Sequence, residues 1–63
     1  MDPTNALLAE AARSRLVADA LRRQAEFESL AGFEALSLAR ADAAVAEYAR
    51  ALRLERQAIP RAA

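Results

Sequence analysis

Few side chains in this sequence of 63 residues are able to do chemistry. It holds no cysteine and no histidine, and every basic residue is an arginine. Histidine is the commonest general base and cysteine the strongest ordinary nucleophile, so two usual routes to catalysis are closed. Ser14, Ser29 and Ser37 have no base among their neighbours in the sequence. Glu26 and Glu28 lie two apart, and on a helix such residues point away from each other, which rules out a working acid–base pair. Carboxylate metal sites in helical bundles use Glu-x-x-His, which is absent. A single glycine, Gly32, cannot build a loop that cradles phosphate. We therefore expect no catalytic, cofactor-binding or metal-ligating residue, no cofactor, and no enzymatic activity.

The remaining reactive groups are charges. Nine arginines balance nine acidic residues, for a net charge of +0. A field strong enough to steer nucleic acid or an anionic membrane is not expected from that balance. Arg15 and Arg22 share a helix face seven residues apart, and Arg50, Arg53 and Arg56 form a basic edge. A dimeric hairpin doubling either patch would be an RNA- or DNA-binding reading, against the simpler one of a solvated face with acidic neighbours. Nucleic acid is not the partner we expect.

The elements that carry these charges are helices. Asp2-Pro3 suits a helix start, with Asp as N-cap and Pro at the first helical position; Thr4 is a second candidate cap. Strong helix formers then run unbroken to Ala31. The spacing of Asp19 to Arg23 and of Arg22 to Glu26 fits salt bridges along the helix. Gly32 suits the left-handed position after a helix end, with Phe33 folding back on Phe27. Ser37 is placed to cap a second helix, which must end before Pro60. The expected fold is all-α: an antiparallel two-helix hairpin in one domain, with a helix over about 3–31, a turn over about 32–36 and a helix over about 37–58. The alternative is one long helix through Gly32.

The charges also favour the hairpin. Residues 1–12 carry −2, residues 13–23 carry +3, residues 24–47 carry −4 and residues 48–63 carry +3. A turn near Gly32 sets the acidic start beside the basic end, and brings Arg15, Arg22 and Arg23 towards Asp42 and Glu47.

Apolar periodicity is clearest in the second half. Leu38, Ala41, Val45, Tyr48, Leu52, Glu55 and Ile59 recur at alternating spacings of three and four, a coiled-coil-like seam interrupted only by Glu55. In the first half, Leu8, Ala12, Leu16, Ala20, Phe27 and Leu30 share a broad face, while Leu7, Val17 and Leu21 lie on another side. Two apolar faces on one helix predict two contacts, one with the second helix and one with something else; a single wide stripe is the simpler alternative.

The segment Asp42-Ala43-Ala44-Val45-Ala46-Glu47-Tyr48-Ala49-Arg50-Ala51-Leu52 resembles the second helix of a tetratricopeptide repeat, with Gly32 twelve residues before Ala44. The resemblance implies that Ala44 and Ala51 are positions of close helix contact. The aromatic residues of the repeat's first helix are missing, and its terminal proline would fall four residues before Pro60. One such unit cannot bury its own faces, so it implies no array.

Nineteen of the 63 residues are alanine and only sixteen are larger apolar side chains, too few for a firm core in a monomer of two helices. We expect a bundle completed by self-association or by a partner protein. The function expected is that of a small interaction protein, either a homodimer or an accessory or structural subunit on a larger assembly such as an enzyme complex or a virion. A small inhibitor or antitoxin-like binder is the alternative. The interface residues expected are Leu38, Ala41, Val45, Tyr48, Leu52, Ile59, Leu16, Phe27, Leu30 and Phe33, with the aromatic residues as anchors. No apolar run reaches the roughly 20 residues of a membrane span. The start Met1-Asp2-Pro3 is acidic, unlike a secretory signal, which leaves the cytoplasm, a virion or a large complex as the expected location.

Overall fold

A computed structural model describes residues 3–59, and the expected N-cap Asp2 lies outside them. Two helices, α1 (Pro3–Leu30) and α2 (Glu34–Ala58), pack side by side as an antiparallel hairpin. The turn between them is short. Gly32 adopts φ +89°, the left-handed conformation that costs glycine little. The Phe33 N–H donates to the Glu28 carbonyl at 2.8 Å and the Gly32 N–H to the Ser29 carbonyl at 3.1 Å. These two bonds define a Schellman motif, which satisfies carbonyls that α1 would otherwise leave unpaired.

α2 starts three residues before the expected cap at Ser37. Phe33 is its N-cap, with no side-chain hydrogen bond, and Glu34 lies in the first turn, where a negative charge complements the helix dipole. The physical reason is economy of turn: once the Schellman motif has reversed the chain, Glu34, Ala35 and Leu36 are free to be helical. Ser37 takes another role, its hydroxyl donating to the Ala25 carbonyl of α1 at 2.7 Å. The C-terminus of α2 follows the sequence rule. Ile59, the residue before Pro60, is extended at φ −104° and ψ 105°.

The helices meet along two heptad rows. On α1, Thr4, Leu7, Ala11, Ser14, Ala18, Leu21, Ala25 and Glu28 are buried or half-buried at alternating spacings of three and four. On α2, Ser37, Arg40, Ala44, Glu47, Ala51, Leu54 and Ala58 do the same. The fully covered apolar positions are all alanine: Ala11, Ala18, Ala25, Ala51 and Ala58. With only a methyl group at the contact, helix axes can approach to the short end of the roughly 8–10 Å range. The close-contact role expected of Ala51 and Ala44 falls on this seam, Ala51 buried and Ala44 half-buried. Leu7 and Leu21 also turn towards α2, whereas Val17 stays exposed.

The resulting body measures 48 × 23 × 11 Å, a single layer of two helices. Its radius of gyration of 14.6 Å exceeds the roughly 11 Å expected of a compact chain of this length. No helix among the described residues is long and apolar enough to cross a membrane.

Candidate interaction surface

The apolar stripe of α2 and the hairpin seam are offset by one residue. Each of Leu38, Ala41, Val45, Tyr48, Leu52, Glu55 and Ile59 directly follows a seam residue. One residue is about 100° of helical rotation, so the stripe emerges beside the seam and not within it. Leu38 is 67% exposed, Val45 70% and Ile59 60%. The coiled-coil-like pattern read from the sequence is therefore a surface in the hairpin, and the helices join through the alanine rows next to it.

α1 flanks the stripe. Leu16, Ala12, Arg15, Asp19 and Arg22 line one side of an open groove of about 900 Å³, opposite Ala41, Val45 and Tyr48. Leu52, Glu55, Arg56 and Ile59 surround a smaller depression further along α2. Seven of the ten residues expected at an interface thus share one face: Leu16, Leu38, Ala41, Val45, Tyr48, Leu52 and Ile59. The other three, Phe27, Leu30 and Phe33, are exposed around the turn, away from that groove. Phe27 and Phe33 are 72% and 59% exposed, so neither is shielded in the way a tight fold-back of Phe33 on Phe27 would require.

The polar part of this face centres on Arg15. Its Nε and NH2 groups donate to Glu55 Oε2 and Oε1, both at 2.7 Å, in a bidentate pair across the helices. The same guanidinium lies 5.0 Å from the centre of the Tyr48 ring, within cation–π range. Hydrogen bonding to Glu55, then to Tyr48, raises the Arg15 pKa, and hydrogen bonding to Arg15 holds the Glu55 carboxyl below its ordinary value. Glu55, which interrupts the apolar stripe, is thus the anchor for Arg15. The pairing of a basic residue of α1 with an acidic one of α2 is as expected, but the partners differ. Arg15 reaches Glu55, whereas Arg22 binds Asp19 and Glu26, and Arg23 binds Asp19, all within α1. Neighbours one turn away are reached with less stretching than Asp42 or Glu47 across the seam.

On the opposite face, Arg50 donates to the buried Ser14 hydroxyl at 2.9 Å and lies 3.6 Å from Glu10, which places the basic end of α2 beside the acidic start of α1. Near the turn, Glu28 and Arg40 approach to 3.3 Å as an ion pair whose angle falls short of a hydrogen bond. Among the described residues, no group of three or more acidic side chains is placed to hold a metal ion.

The residues that sequence reasoning passed over are Arg15 and Glu55 as a joining pair and Ser14 and Ser37 as polar bridges. Their signal was present as the recurrence of alanine every seven residues, at 11, 18 and 25 and at 44, 51 and 58. No family model, curated protein or solved structure matches the chain.

Proposed function

We propose that the chain is a non-catalytic interaction protein that works by burying the face built on Leu38, Val45, Tyr48, Leu52 and Ile59 against another protein surface. One observation carries this reading. The apolar residues that the hairpin covers fully are all alanine, while Leu38, Val45, Tyr48 and Ile59, in heptad register, stay exposed. Heptad spacing of large apolar residues suits a helix packing against a helix, so the partner surface is helical. An assembly of identical chains, an accessory subunit on a larger complex and an inhibitor of another protein would all use this face and differ in its occupant. Nucleic acid is a weaker fit, since Arg15, Arg22, Arg23, Arg40 and Arg50 each already have an acidic partner.

Val45→Glu tests the reading. Val45 lies outside the hairpin seam, so the variant should keep its helicity by circular dichroism. The native mass of the chain in extracts of its source should fall from that of an assembly to that of a single chain. A wild-type chain that runs as a free single chain in those extracts would overturn the proposal.

A further inference from the structure

Resting on that reading, we infer that the occupant of the Leu38–Ile59 face is a second copy of this chain, related by a two-fold axis that crosses α2 at Ala49. One observation points to this axis and two others bear on it. The first is on α2. Beside the stripe runs a row containing Asp42, Ala49 and Arg56, seven residues apart. When two copies of α2 lie antiparallel about Ala49, Asp42 of each copy stands abreast of Arg56 of the other. Ala49 lies midway between them in the same row. Asp42 and Arg56 are exposed and have no ion partner among the described residues, so both are available. The stripe itself is symmetric about the same level: Leu38 meets Ile59, and Val45 meets Leu52.

The second observation is on α1 and is independent of the first. The cross-helix pairs Ser14–Arg50 and Arg15–Glu55 on one side of the centre, and Ala25–Ser37 and Glu28–Arg40 on the other, set Val17, to within about one helical turn, at the level of Ala49. An axis at Ala49 therefore crosses α1 near Leu16 and Val17. About that level Arg15 of one copy lies near Asp19 of the other; both already hold partners within their own chain, so the α1 row is compatible with the axis without fixing it. Antiparallel flanking rows pair with themselves across such an axis, so a row carrying both signs at mirrored positions is what an isologous interface requires.

The third observation favours this axis over the other two-fold arrangement. Turning the second hairpin about an axis parallel to the helices would lay the apolar stripe of α2 on the Arg15, Asp19 and Arg22 side of α1. That arrangement buries charge under Val45 and Tyr48. The axis at Ala49 instead sets the apolar stripes of the two α2 helices on each other, with Asp42 and Arg56 paired beside them. The product is a four-helix bundle in which each hairpin supplies one layer.

Sedimentation equilibrium of the purified chain tests the proposal. The expected mass is twice the 6.8 kDa of one chain. Asp42→Arg and Arg56→Asp should each weaken association about tenfold, because each places like charges abreast twice per dimer. The double variant should recover to within about threefold of wild type, since it restores opposite charges at both places. Both sites are exposed, so helicity should remain unchanged in all three variants. A monomeric wild-type chain at about 100 µM, where a micromolar dimer is largely formed, would overturn the proposal. So would a dimer in which the double variant is no better than the singles. If the purified chain is monomeric while the chain in extracts belongs to a larger assembly, the second copy is wrong and docking on another protein stands. If it is single in both, both readings fail.

Discussion

Arg15 is held on two sides, by a carboxylate along the Nε–Nη2 edge of its guanidinium and by the face of Tyr48. Bidentate geometry of this kind fixes direction as well as distance. The pair spans the two helices, so it resists sliding of one past the other, which alanine methyls alone do weakly. Its dependence on pH follows from the carboxylates. Glu55 and Asp19 are both held below their ordinary values of 4.5 and 3.8, each chiefly by a hydrogen bond from arginine, so the folded state takes up their protons less readily than the unfolded chain. The stability they contribute is complete above those ordinary values and is lost as pH falls through the lower values of the folded state. Melting temperature should therefore be level between pH 7 and pH 5 and decline on further acidification. Glu55→Gln should lower the melting temperature at pH 7 and make the acid decline shallower. Parallel curves for variant and wild type would show that the Arg15–Glu55 pair contributes nothing to folding.

The two helices owe their pairing to small residues at regular intervals. Ala11, Ser14, Ala18 and Ala25 of α1 face Ala44, Ala51 and Ala58 of α2, and Ser14 is the largest fully buried side chain among the described residues. Ala51 is completely covered, so Ala51→Leu has no void to fill and must push the helices apart. That overpacking should destabilise the hairpin by about 1–3 kcal/mol in a chemical denaturation, whereas the same change at exposed Ala46 should be nearly silent. Much of this element-level structure was legible in the sequence. Gly32 stops α1 because left-handed φ is cheap only for glycine, and Pro60 forces Ile59 out of the helix; both effects are local. The start of α2 was not legible, because Ser37 is a good cap on its own merits and only the Schellman geometry at Phe33 makes an earlier start possible. The seam was not legible for a different reason. Hydrophobic periodicity is dominated by large side chains, and here the large side chains belong to the surface that the hairpin leaves open. A period of seven in alanine marks close backbone approach, and it must be read separately from the period of leucine, valine and tyrosine.

At the scale of the whole molecule, a single layer of two helices has no interior. Stable domains bury a helix stripe against a second layer, and this chain has the stripe but lacks the layer. Alanine rows hold the helices together over their full length yet remove little apolar area per residue from water, roughly one methyl group's worth at each position. Leu38, Val45 and Tyr48 remain in water. If a second copy covers the stripe, folding and association are coupled: the cover adds the burial that the hairpin lacks, and the unfolded chain gains nothing from it. Coupling of this kind has a signature that a self-sufficient monomer lacks. Because the assembled state is favoured by mass action, its apparent stability rises with chain concentration. The melting temperature of the purified chain should increase steadily as concentration is raised a hundredfold from the low micromolar range. Val45→Glu, which charges the middle of the stripe without touching the seam, should lower the melting temperature and abolish its concentration dependence together. A wild-type melting temperature independent of concentration would mean that the alanine seam suffices on its own, and that the exposed stripe serves a partner other than the chain itself.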